Sequence, residues 1–169
     1  MNATEFIRQQ VAEAEGLSNA AMTDVTDEQF NWLPPGTMNP IKSAWLHTVG
    51  GEDLFFQLII QGRPPLWVTG GWPGRVGLAQ TPGGGQGWEE ARNTVLALAP
   101  VLAYAAAVRD ATHEYLARLT EDELDRKVSF FGTESSVAEV LARFVTHTAC
   151  HAGEIASVKG VQGLPGLPF

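Results

Sequence analysis

The segment from Ser136 to Gly160, SVAEVLARFVTHTACHAGEIASVKG, constrains the fold more than any other part of the chain. Ser136 with Glu139 three residues later is a capping-box pair that starts a helix. Behind it Val137, Val140, Leu141, Phe144, Ile155 and Val158 recur at helical spacing, and Gly160 supplies a stop. A helix of this length carries one apolar stripe along its side and must bury that stripe against other elements.

The rest of the chain offers helices as partners. Residues 3–22 place Phe6, Val11, Ala14, Leu17 and Met22 amid polar positions, which predicts one amphipathic helix. A short helical turn is expected from Thr26, ended by Pro34-Pro35-Gly36. Asn39 is suited to an N-cap and Pro40 to the first position of a second helix. Ile41, Ala44, Trp45, Phe55, Leu58 and Ile59 carry that helix to about Gln61, and Gly62 stops it. Residues 63–87 are rich in Gly and Pro yet hold Trp67, Val68, Trp72 and Val76, so they read as a long connection packed on the body. A third helix is expected from Trp88 and Glu89 toward Leu119, with Pro100 marking a kink or a fresh start. Thr120 opens a second short capped turn, and the tail, with Leu164, Leu167 and Phe169, is expected to pack back on the body. No stretch shows persistent strand alternation. Four long helices and one long connection predict an all-α four-helix bundle, a single domain over residues 1–169.

Composition narrows the function. With 44% hydrophobic and 18% charged residues the 169-residue chain is ordinary globular material, able to bury a core without disulfides. A net charge of −8 and the absence of basic runs argue against nucleic acid and anionic membranes. The N-terminus has no signal-peptide core, no apolar run reaches the roughly 20 residues of a membrane span, and the lone Cys150 implies no internal disulfide. A cytoplasmic protein is expected, so the sequon-like Asn2-Ala3-Thr4 carries no meaning.

Three of the four histidines stand out. His147 and His151 lie four apart on the last helix, so their rings share a face and can reach one ion. They continue the stripe from Val140 and Phe144 toward Ile155 and Val158. His47 lies in line with Ala44, Gly51, Leu54 and Leu58 and is also expected to point inward. His113, among Arg109, Asp110 and Ala117, is expected to face solvent. A lone inward histidine is ordinarily a hydrogen-bonded core residue, and an HxxxH pair arises often by chance. Two such rings a turn apart, with a third on another helix, make a metal the economical explanation, because buried imidazole nitrogens need partners. Three imidazoles without a thiolate favour one divalent transition metal such as zinc or nickel, with iron and copper still open. Three protein ligands leave a coordination position free, which is the habit of catalytic sites.

Neighbouring residues have two readings each. Gly50-Gly51, one turn after His47, marks either a ligand or a helix at close approach. Glu52 either orients a ligand histidine and acts as a general base, or is a surface charge beside Asp53. Glu154 either lies at the site mouth or is simply solvated. Cys150 is expected to be buried packing, and Trp67, Trp72 and Trp88 to anchor the long loop rather than wall a pocket.

The segments NPIKSAWLHTVGGEDLFF and FVTHTACHAGEIASVKG, with GLPGLPF after the latter, resemble the second helix, last helix and tail of the DinB/YfiT-like family. The resemblance implies an up-down-down-up four-helix bundle, often a homodimer, with a metal held at the positions of His47, His147 and His151. Relatives with known activities include thiol-dependent transferases and isomerases that use mycothiol or bacillithiol. The partners it implies are a small-molecule substrate and a low-molecular-weight thiol. Glu52 stands where the family often carries an acidic residue, whereas Glu154 replaces a common glutamine. The alternative is a non-catalytic metal-binding or stress-related module of the same fold.

Overall fold

The computed structural model describes residues 2–83 and 85–167, apart from the side chains of residues 85 and 86. It is predominantly helical. In chain order the elements are α1 (Ala3–Met22), α2 (Asp27–Asn31), α3 (Ile41–Asp53) running into a π-helical segment (Leu54–Ile60), α4 (Leu66–Thr69), α5 (Trp72–Val76), α6 (Gly85–Asn93), α7 (Leu98–Ala117), α8 (Glu121–Asp125), β1 (Lys127–Phe130), β2 (Thr133–Ser136) and α9 (Val137–Val161). None of the helices is long and apolar enough to cross a membrane, among the described residues.

Side-chain caps start α1, α2, α8 and α9. Asn2 accepts from Glu5 N at 2.9 Å while Glu5 Oε2 accepts from Asn2 N at 3.1 Å, so the residue that opened an apparent sequon is the N-cap of α1. Thr26 and Ser136 make the same reciprocal box for α2 and α9. Asn39 does not cap α3. Pro40 takes the N-cap position without a side-chain bond, and Asn39 turns its amide toward Glu154 instead. Pro100 marks a fresh start rather than a kink, because it sits in the first turn of α7, where its missing N–H is harmless. The N–H of Leu98 at that end is taken by Asp27 Oδ1 at 2.8 Å.

α9 packs along α1 and against α3, and α3 also touches α7. One core cluster gathers Trp45, Tyr104, Trp67, Trp72 and Ile155, and a second gathers Phe55, Phe56, Tyr115 and Phe144. Leu167 of the tail packs on the first cluster as expected, while Phe169 lies outside the described residues.

Three further expectations are corrected. First, residues 127–136 form a small antiparallel hairpin, with Phe130 opposite Thr133. Its two-residue turn, Phe131-Gly132, has φ of 49° and 85°, the positive pair that matches strand twist in tight hairpins. Secondly, the long connection is not a bare loop. It folds into α4 and α5, and α6 begins before Trp88 and stops at Asn93. Thirdly, the helix after Asp53 changes to i→i+5 hydrogen bonding, which widens its turn and rotates later residues out of α-helical phase. Leu58, expected inside, is therefore 47% exposed while Phe55, Phe56 and Ile60 are buried.

Candidate metal centre

α3 supplies His47 and α9 supplies His147 and His151, and the helix pairing brings the three rings together. Each offers one nitrogen, and these nitrogens lie within 4.8 Å of one another. Nε2 of His147 is 3.0 Å from Nε2 of His47, and the ring centroids are 4.6–4.8 Å apart. All three are half-buried, at the edge of the core stripe rather than within it. The stripe itself passes through Thr148 and Ala152, one residue along from each α9 histidine.

Each ring is held from behind by a different device. His47 donates from Nδ1 to the carbonyl oxygen of Pro82 at 2.6 Å. A carbonyl can only accept, so in the neutral ring Nε2 carries the lone pair. His151 donates from Nδ1 to Glu154 Oε2 at 2.6 Å, by the same logic freeing its Nε2, and Asn39 donates to the other carboxylate oxygen at 2.9 Å. His147 is placed by space. A Cβ on Gly51 would come within 2.8 Å of His147 Cε1, so only glycine admits that ring. Gly50 does the same for the connection, because a Cβ there would lie 2.6 Å from Thr81 Cβ.

The proton on His147 completes the picture. With His47 Nε2 an acceptor, the 3.0 Å contact is a hydrogen bond donated by His147 Nε2, and Nδ1 of His147 is left buried without a partner. Burial, followed by the neighbouring His151 and His47, pushes the His147 imidazole down to about 4. Burial lowers His47 too, against the opposing pull of the Pro82 carbonyl. Glu154 is held below the usual carboxylate range, chiefly by its bond to His151. Two of the rings are thus neutral at neutral pH, with a carboxylate beside the third.

The walls come from α6, the π-helical segment, the connection and α7. The Trp88 ring lies 4.7 Å from the His47 ring, and Phe55 lies 5.8 Å from His147. A cavity of about 160 Å³ opens beside His47 between Gly51, Asp53, Trp67, Pro82 and Tyr104. Asp53 pins this wall. Its carboxylate accepts from Leu66 N, Trp67 N and Tyr104 Oη, each at 2.8 Å.

The DinB superfamily profile matches residues 10–155, a range that includes all three histidines. The chain belongs to the DinB superfamily. A crystal structure of a conserved protein from Enterococcus faecalis has the same fold, with a TM-score of 0.80 at 20% identity, over 96% of this chain and 99% of that one. No curated protein matches significantly.

Within this DinB fold the other candidates fall elsewhere. Glu52 is not brought to the histidines. It is buried, and the groups acting on its carboxylate are Arg109, Thr112, Glu15 and His113. It leaves the helix well round from His47, toward α1 and α7. Cys150 is exposed rather than buried, because it falls on the side of α9 away from Thr148 and Ala152. His113 faces solvent as expected, and its ring also meets the buried Glu15 at 2.8 Å. Trp67 and Trp72 anchor the connection, packing on Tyr104 at 5.0 and 5.5 Å, while Trp67 also walls the cavity. Sequence reasoning gave Pro82 and Asp53 no role. A backbone carbonyl leaves no mark in side-chain patterns, and Asp53 reads as one more helix-surface acid.

Proposed function

We propose that His47, His147 and His151 bind one divalent transition metal, zinc or nickel, and that the protein is a metal-dependent enzyme activating a thiol or water for attack on a small electrophile. We also read the long helices as the up-down-down-up bundle of the family. The observation that carries the proposal is the convergence of three imidazole nitrogens whose rings are already oriented from behind. The spacing suits an ion. Two nitrogens bonded at roughly 2.0–2.1 Å to one zinc are about 3.4 Å apart at the tetrahedral angle and about 2.9 Å apart at a right angle. The 3.0 Å between His47 and His147 falls inside that window.

A divalent ion held there supplies Lewis acidity and favours the thiolate or hydroxide form of a reactant. The chain's own residues do the rest. Pro82 and Glu154 fix the tautomers of His47 and His151, and the Glu154 carboxylate raises the basicity of His151. Trp88 and Phe55 keep water from the flanks of the rings. The cavity beside His47 has room for only a few atoms, which supports a small electrophile.

The test is elemental analysis of protein purified without an affinity tag, comparing wild type with His147→Ala. The expected result is about one equivalent of zinc or nickel in the wild type and none in the variant, followed by thiol-transfer activity that the variant lacks. No metal in either protein, even after incubation with each ion, sinks the reading.

A further inference from the structure

One turn before His147 on α9 stands Arg143, and the two line a shallow open depression of about 410 Å³ with Ala142 and Thr146. Arg143 is exposed, and among the described residues no carboxylate forms an ion pair with it. The nearest candidate on its own helix, Glu139, is engaged in the cap, accepting from Ser136 N at 2.6 Å and Ser136 Oγ at 3.2 Å. The guanidinium carbon instead sits 5.1 Å over the Phe130 ring. Phe130 meets Phe55 edge-on at 5.3 Å, and Phe55 in turn lies 5.8 Å from His147. A line of aromatic contacts therefore runs from the guanidinium to the histidine cluster, with Phe55 buried and Phe130 partly open to solvent. At the hairpin tip Phe131 is 71% exposed and held at a φ of 49°, a conformation uncommon for a bulky residue.

An exposed guanidinium with no carboxylate in direct contact, resting on an aromatic face one helical turn from His147, is a receptor for an anion. Its planar fork suits a carboxylate, which it can bind through two parallel hydrogen bonds. Resting on the metal-site reading above, we propose that Arg143 is a specificity-determining residue that anchors a carboxylate of the molecule reacting at the histidines, whose apolar body lies against the partly exposed Phe130. The substrate class is then a compact apolar or aromatic carboxylic acid, with its reactive atom roughly one helical turn, about 6 Å, from its charge. The charge can sit on the thiol or on the other reactant, and the experiment separates the two.

The experiment is calorimetric titration of zinc-loaded and metal-free protein with two pairs of probes, 4-mercaptobenzoate against 4-mercaptobenzamide and benzoate against benzamide, for wild type, Arg143→Gln and Arg143→Lys. Wild type is expected to prefer the acid of at least one pair by about 10-fold or more. Arg143→Gln is expected to lose that preference and Arg143→Lys to retain part of it. Preference within the mercapto pair alone assigns the carboxylate to the thiol; preference also within the benzoate pair assigns it to the other reactant. Equal binding of acid and amide by wild type, or a preference that survives in Arg143→Gln, overturns the proposal. If zinc does not load, the metal reading fails by itself, and the same comparison on metal-free protein still decides the role of Arg143.

Discussion

Gly51→Ala is the perturbation that most directly probes how the histidine cluster is assembled. A methyl at this position would lie 2.8 Å from Cε1 of His147, whereas ordinary contact begins near 3.4 Å, so the ring must retreat by about 0.6 Å. Metal–ligand distances tolerate shifts of roughly 0.2 Å. Retreat is obstructed, because Phe55 and His47 already pack on the ring. The fold itself has little at stake. Replacing a mid-helix glycine by alanine gains about 1 kcal/mol of helix propensity, and the overpacking costs about 1–3 kcal/mol. Net stability should fall by no more than about 2 kcal/mol, leaving a folded protein. Metal affinity should fall by at least the roughly 10–100-fold seen when ligand orientation is disturbed. The assay is competition against a chromophoric chelator, with a urea melt of the metal-free protein alongside it. Gly50→Ala is the comparator, because its methyl meets Thr81 beside Pro82 and reaches the site only through the connection. Wild-type metal affinity in a folded Gly51→Ala protein would refute the reasoning.

Other perturbations separate the supports of the site from its surroundings. Glu154→Ala should leave the fold intact and weaken metal binding about 10–100-fold, since it removes the acceptor that holds His151; unchanged affinity in the chelator competition would count against that role. Asp53→Ala leaves three donors without their shared acceptor and should cost about 2–4 kcal/mol in a urea melt, with proteolysis first appearing between residues 63 and 83. Burial pushes the Glu52 carboxyl up to about 7 against the opposing pull of Arg109. The folded state thus holds its proton more tightly than the unfolded chain does, and stability must decline as pH rises from about 4.5 to about 7. Glu52→Gln should match wild type near pH 4 and exceed it by about 3 kcal/mol near pH 7.5, while binding metal normally; a pH-independent difference between the two would contradict the shift.

What was legible in the chain was what repeats or caps. The Ser136–Glu139 box, the α9 stripe and the HxxxH spacing each express a local rule, and the structure keeps all three. Gly50-Gly51 was legible as a close approach, though not as a seat for one particular ring. The missed features depend on partners distant in sequence or on small departures from regular geometry. The widened turn after Asp53 follows from no pattern in LFFQLII, yet it moves Leu58 to the surface. The hairpin hides in KVSFFGTESS because each strand has only four residues, too few to display alternation. Glu52 was misplaced because a helix turns about 100° per residue, so five residues past His47 is a different face, however close it stands in the text. Glu154, three residues past His151, is on the right face, and there the contact is made.

The three supports differ in a way that bears on how the site works. His151 is oriented by its own helix and His147 by the absence of a side chain on α3, so both are set as soon as α3 and α9 pack. His47 alone depends on the connection, through the carbonyl of Pro82. That carbonyl is held in turn by a segment whose buried anchors are Trp67, Trp72 and the Asp53 hydrogen bonds. Because any ion that prefers the oriented ring stabilises whatever orients it, metal affinity and the order of residues 63–83 are one linked quantity. The same segment lines the cavity beside His47. On the proposed function, substitutions in this Gly- and Pro-rich stretch therefore change which reactant enters and how tightly the ion is held, without touching a ligand.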